Sequence, residues 1–113
     1  MGNSDLLIKL IDELKIEEDE LKNMIDLISK YRKGTLFVQH VGDSDYFYRK
    51  YNSDGRTKCE YIGKNLNSVE INNIKTEFLN YKTLKKRISN TSKNIKMLKK
   101  DIERYKKYDQ RYW

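Results

Sequence analysis

Two stretches of this chain repeat apolar residues every seven positions, and they flank a middle with a different rhythm. Leu7, Leu14, Leu21 and Ile28 recur at that spacing, with Leu10, Met24 and Tyr31 three residues after three of them. Ile74, Tyr81, Ile88, Ile95 and Ile102 do the same later on, followed at three by Leu84, Thr91, Leu98 and Tyr105. A 4-3 repeat lines one side of an α-helix and forms a coiled-coil seam. The first seam is interrupted at Glu17, and Thr91 is a weak layer in the second. Ile11 and Ile25 widen the first stripe beyond a single seam.

The pattern predicts a helix over about residues 4–32. Ser4 is the expected N-cap, Asp5 suits the first turn, and Gly34 is the expected C′ residue. A second helix is predicted over about residues 68–107, capped by Asn67 or Ser68. Asn67 and Glu70 stand at capping-box spacing. At 1.5 Å per residue the helices measure about 43 and 60 Å, so the second should overhang the first or find another partner.

The middle, Thr35–Val41, Tyr46–Tyr51 and Thr57–Ile62, is rich in β-branched and aromatic residues. Gly42-Asp43-Ser44-Asp45 and Asn52-Ser53-Asp54-Gly55 separate the three runs as turn clusters, the second resembling a type I turn with an αL glycine. With Tyr51 opposite Arg56 and Val41 opposite Tyr46, one sheet face holds Phe37, Tyr46, Tyr48, Cys59 and Tyr61. The other holds Leu36, Val38, His40, Phe47, Arg49, Tyr51, Lys58, Glu60 and Ile62. Both are partly apolar, so which one is covered stays open. The expected fold is α+β: a long antiparallel helical hairpin, a coiled coil, capped by a three-stranded antiparallel β-meander over residues 35–62. It forms one domain over residues 1–113, with an aromatic and basic tail at 108–113.

Charge is unevenly spread along this frame. The chain has 24 Lys and Arg against 17 Asp and Glu, for a net +7. Residues 1–30 carry eight acids and four lysines, residues 31–67 seven bases and four acids, and residues 68–113 thirteen bases and five acids. An acidic helix beside a basic one favours their pairing. The excess leaves a basic surface suited to polyanions. No apolar run reaches the roughly 18 residues of a membrane span. The opening MGNSDLLIKL lacks a secretory signal, and Leu6 stands where a myristoylation signal has Ser or Thr. A cytoplasmic setting is expected.

No catalytic constellation emerges, and no enzyme activity, cofactor or metal is expected. His40 is the single histidine and sits in a strand among aromatics. Asp43-Ser44-Asp45 lacks the glutamate of a calcium loop. Cys59 is the single cysteine, with no second thiol or helix N-terminus to activate it. Gly34, Gly42, Gly55 and Gly63 form no phosphate-binding fingerprint.

Binding is the better reading. Arg49, Lys50, Arg56, Lys58 and Lys64 interleave with Tyr46, Tyr48, Tyr51 and Tyr61. Aromatic rings stack on unpaired bases while cations follow phosphates. On the second helix Lys85, Lys86, Lys93, Lys99 and Lys100 lie mostly off the seam. The plainer alternative is that the tyrosines fill a small core and the lysines keep a coiled coil in solution. Protein binding competes, because open sheet edges accept strands. The tail ends in Tyr112-Trp113, of the residue types that dominate interfaces, so Trp113 is a candidate contact. Self-association into a homodimer is a further alternative.

The order of motifs also carries a resemblance. Tyr31-Arg32-Lys33-Gly34-Thr35-Leu36 precedes Tyr46-Phe47-Tyr48-Arg49. Asp54-Gly55-Arg56-Thr57-Lys58, Tyr61-Ile62-Gly63-Lys64 and the helical Asn80-Tyr81-Lys82-Thr83-Leu84 follow. Over about residues 30–100 this resembles a group of poorly characterised bacterial proteins common in mobile elements. Their pattern is a helix, Gly-Ser/Thr-Leu, a Tyr-rich hairpin, Tyr-Ile-x-Lys and a long helix. Many carry a cysteine cluster where this chain has Val38-Gln39-His40-Val41-Gly42-Asp43, so no metal role carries over. The resemblance implies a phage or mobile-element setting and no established activity. With small size and no active site, it leads to the expectation of a non-enzymatic binding protein acting on a nucleoprotein, such as an anti-CRISPR-like inhibitor of a host defence nuclease. The competing expectations are a direct DNA- or RNA-binding accessory protein and a coiled-coil scaffold.

Overall fold

The computed structural model describes residues 2–110. Helix α1 (Gly2–Ile28) is followed by strands β1 (Thr35–Val41), β2 (Ser44–Ser53) and β3 (Arg56–Lys64), and then by helix α2 (Ser68–Gln110). The class is α+β, as the alternating periods require. The three strands form one antiparallel sheet in the order β1-β2-β3. Residues 1–28 and 84–113 gather into one compact unit, and residues 29–83 into a second.

In the first unit the covered positions are the heptad positions. Met24 of α1 is buried, as are Leu84, Thr91, Ile95 and Ile102 of α2. Leu7, Leu10, Leu14, Leu21 and Ile28 are half-buried. Glu17 is half-buried too, so the seam carries a carboxylate where an apolar side chain was due. Leu21 and Ile25 of α1 line a shallow groove with Ile95 of α2, rimmed by Glu18, Lys22, Asp26 and Lys99. Among the described residues no helix is long and apolar enough to cross a membrane.

The second unit is the sheet with the first turns of α2. Both hairpins close more tightly than the sequence suggests. Val41 pairs with Ser44 and Ser53 with Arg56, so each loop has two residues. Asp54 and Gly55 both have positive φ, 53° and 74°. That is the type I′ pattern, whose twist matches the strands, where a type I turn was expected. Gly42, at φ 60°, leads the other loop with Asp43 at negative φ, as in type II′. The polar residues Ser44, Asp45, Asn52 and Ser53 therefore belong to β2. The expected registers move by two: Tyr51 faces Lys58 rather than Arg56, and Val41 faces Ser44 rather than Tyr46. A shift of two preserves the faces, because side chains alternate with period two.

Helix α1 stops at Ile28, four residues before its expected end. Gly34 is consequently no helix cap. It has φ 144°, and a Cβ there would lie 2.8 Å from both the Lys50 carbonyl oxygen and Arg49 Cγ. Glycine permits that backbone approach to β2. Helix α2 starts as expected: the Glu70 N–H donates to Asn67 Oδ1 at 2.8 Å, and Asn67 Nδ2 donates to Glu70 Oε1 at 2.8 Å. It runs to Gln110, so Tyr108 continues the helix instead of opening a tail.

Candidate nucleic-acid interface

Burial along β2 decides which sheet face is covered. Phe47 and Arg49 are 4% and 9% exposed, and Tyr51 is half-buried. Leu36 and Val38 of β1, paired with Arg49 and Phe47, are half-buried beside them. This is the inner face.

Arg49, expected among the surface cations, is built into that inner face. Its Nη1 donates to the Lys33 carbonyl at 2.8 Å and its Nη2 to Glu60 Oε2 at 3.0 Å. Its guanidinium carbon lies 3.8 Å from the centre of the Tyr51 ring. Arg32 extends the network. It donates from Nη2 to Glu77 Oε2 at 2.9 Å and lies 3.7 Å from Glu60 Oε1. These bonds tie the α1–β1 connection and β3 to the first turns of α2. The hydrogen bond from Arg49 holds the Glu60 carboxyl below the usual carboxylate range. Arg32 does the same to Glu77, and its own pKa is raised in return.

The outer face is left to solvent, and it is aromatic. Phe37 pairs with Tyr48 and Tyr48 with Tyr61, which sets three rings in one row across the sheet. Centroids are 6.2 Å apart for Phe37 and Tyr48, tilted at 46°, and 5.6 Å for Tyr48 and Tyr61, edge-on at 62°. Phe37 is 39% and Tyr61 54% exposed. Two strand spacings make the row about 10 Å wide, room for two or three bases. Lys50 Nζ lies 4.0 Å from the Phe37 ring centre, and Lys64 Nζ 5.6 Å from that of Tyr46. Cys59, opposite Lys50, is an exposed free thiol on this face.

The expected site residues are thereby sorted. Tyr46, Tyr48, Lys50 and Lys64 come together on the outer face with Tyr61, one of the interleaved tyrosines, and with Phe37, which was not singled out as a contact. The signal for Phe37 was present, since cross-strand pairing with Tyr48 puts it in the same row. Arg56 and Lys58 are exposed near the tip of the second hairpin, opposite Ser53 and Tyr51. The tip is two-stranded, because β1 reaches only to the pair Thr35–Lys50. Lys85, Lys86, Lys93, Lys99 and Lys100 are exposed on α2. Lys86, Lys93 and Lys100 recur every seven residues, away from the seam, while Lys99 lies on the groove rim. Trp113 lies outside the described residues. His40 Nδ1 meets Asp45 Oδ1 across the first hairpin on the protein surface. Among the described residues no three His, Cys, Asp or Glu side chains gather as a cation site.

Comparison with known proteins gives one family. The model of a domain of unknown function, DUF6788, matches residues 6–70, from α1 through the meander to the first turn of α2. That is more than half of the chain. No curated protein and no solved structure matches.

Proposed function

The chain belongs to the DUF6788 family, and we propose that it acts as a non-enzymatic binding protein whose outer sheet face takes the unpaired bases of a nucleic acid. One observation carries the reading: the row Phe37–Tyr48–Tyr61 is turned to solvent while Arg49, one residue from Tyr48, is turned in. A sheet that needed its tyrosines for a core would bury that row. Rings on an open sheet stack with bases of any sequence, and Lys50 and Lys64 supply charge for the backbone. Duplexes keep their base faces stacked internally, so unpaired strands fit this face better.

Within this reading the seams of α1 and α2 close into an antiparallel coiled-coil hairpin, and Lys86, Lys93 and Lys100 follow phosphates along its outer side. The mobile-element resemblance gives a setting. There the bound strand is carried by a host nucleoprotein, and covering it inhibits a defence nuclease.

The test is fluorescence anisotropy with labelled single-stranded oligonucleotides across a salt series. Stacking contributes about 1–3 kcal/mol per base, so Tyr61→Ala is expected to weaken binding about 5- to 150-fold. Tyr61→Phe keeps the ring and the affinity. Replacing Lys50 and Lys64 by Ala reduces the salt slope by about 1.4 for a single strand. Equal affinity for Tyr61→Ala and the native chain ends the stacking assignment.

A further inference from the structure

The free edge of β1 invites a specific partner. Antiparallel strands alternate pairs that exchange both backbone hydrogen bonds with pairs that exchange none, and a two-residue loop is flanked by a bonded pair. Val41 and Ser44 flank such a loop. Val41, Gln39, Phe37 and Thr35 therefore bond to β2, while Leu36, Val38 and His40 direct their N–H and C=O groups to the open side. Among the described residues no backbone hydrogen bond beyond the sheet reaches them.

Long uncharged edges are templates for strand addition, and proteins usually guard them with charge, proline or a bulge. The other edge, β3, has such guards: Arg56, Lys58, Glu60 and Lys64, and a register irregularity opposite Phe47 and Tyr48. β1, with the sequence TLFVQHV, has no lysine, arginine, acid or proline. In a chain of net charge +7 this is the sheet edge where two copies meet without opposing their lysines.

We infer that two copies of the chain pair antiparallel through β1, with the two-fold axis at Val38, into one six-stranded sheet. The register follows from the outward groups. Val38 pairs with Val38 of the second copy, Leu36 with His40, and each of these pairs exchanges two hydrogen bonds. All seven residues of the strand are used. On the outer face Phe37 then stands opposite Gln39, and Thr35 opposite the exposed Val41. Two steps beyond each end the same register directs Lys33 toward Asp43, a pair of opposite charges repeated by the symmetry. Residues of like parity stay on one side, so the aromatic rows of both copies share one surface. That doubles the stacking face, and a strand long enough to cross both is held by two sites at once. The pairing goes beyond the base-stacking reading, and it is measured with no nucleic acid present.

Sedimentation velocity of the full chain, from low micromolar to several hundred micromolar, tests it. The native protein is expected to shift from monomer to dimer mass over this range. Thr35→Glu with Val41→Glu sets like charges opposite each other twice, while Thr35 keeps a favourable neighbour in Lys50. This variant is expected to associate at least tenfold more weakly, with an unchanged circular dichroism spectrum. Thr35→Glu with Val41→Lys makes the same positions complementary and is expected to recover association. Asp43→Lys, in the exposed loop, weakens it several-fold. A native chain that remains monomeric throughout overturns the inference. So does a dimer that tolerates the double glutamate variant, or a Glu/Lys variant that behaves like Glu/Glu.

Discussion

Arg49 and Lys50 are adjacent cations with opposite fates, and exchanging each for alanine separates structure from binding. The Arg49 guanidinium donates to the Lys33 carbonyl and lies on Tyr51, with only 9% of the residue exposed. Hydrogen bonds to a charged group contribute about 1.5–3 kcal/mol each. A partly desolvated cation–π contact contributes about 0.5–2 kcal/mol. The bond to Glu60 is screened, because that carboxylate side chain is 45% exposed, and it adds little. Arg49→Ala is therefore expected to cost about 2–4 kcal/mol, a large share of the 5–15 kcal/mol typical of a domain. In urea, with a slope of about 1–3 kcal/mol/M, the midpoint falls by about 2 M. Lys50→Ala touches only solvent and the Phe37 ring, and its midpoint changes by at most about 0.5 kcal/mol equivalent. Oligonucleotide affinity is expected to move the other way, falling for Lys50→Ala and unchanged for Arg49→Ala under conditions where it is folded. Circular dichroism melts in urea and anisotropy on the same samples read both quantities. A variant Arg49→Ala with native stability and tenfold lost affinity would falsify the inward placement of this side chain.

Two further outcomes follow from the connection and the charge network. Gly34→Ala combines a left-handed φ of 144° with a Cβ 2.8 Å from the Lys50 carbonyl oxygen, and is expected to lower stability by about 2 kcal/mol or more. Gly55→Asn, at φ 74° with open space around its Cβ, costs under about 1 kcal/mol in the same urea assay. The Glu77 carboxyl is held below its ordinary value of 4.5, chiefly by the hydrogen bond from Arg32. The unfolded chain takes up the proton first, so this contribution is complete above that ordinary value and is lost as pH falls through the folded one. The urea midpoint is expected to drop on acidification, and to drop less in Glu77→Gln. An identical pH profile for both proteins removes the network from the account.

The elements were legible in the sequence where a period runs unbroken. The seven-residue seams gave both helices, and Met24, Leu84, Thr91, Ile95 and Ile102 are buried seam positions, while Phe78 of α2 is buried off the seam. The capping pair Asn67–Glu70 fixed the start of α2 because both partners are local. Strand registers were less legible. Turn-forming residues such as Ser44 and Asn52 also fit strand ends, and only the backbone angles at Gly42, Asp54 and Gly55 choose two-residue loops. The end of α1 was missed for a similar reason. Arg32 and Lys33 suit a helix C-terminus, yet Arg32 is engaged by Glu77, forty-five residues away. No local pattern encodes that pairing.

The candidate site was half-legible, and the reason lies in the stretch Tyr46-Phe47-Tyr48-Arg49-Lys50-Tyr51. Alternation divides it into two sets of three, Tyr46, Tyr48, Lys50 and Phe47, Arg49, Tyr51. Each set contains two aromatics and one cation, so composition cannot rank the faces. Geometry breaks the tie. An arginine can be covered when its fork has acceptors of fixed position, and the Lys33 carbonyl, beside the tightly seated Gly34, is one. A lysine in its place would bring a compact, strongly hydrated ammonium without that fork. The face whose cation finds acceptors for both terminal nitrogens, with only Nε left unpaired, is therefore the one that is buried, and the lysine-bearing face remains outside with its two tyrosines. Exposure of Phe37 and Tyr61, with the half-buried Tyr48 between them, is thus a consequence of where arginine stands in the alternation. Exchanging the two cations, Arg49→Lys with Lys50→Arg, keeps composition and charge. It is expected to destabilise the sheet, because the carbonyl contact depends on a fork at position 49.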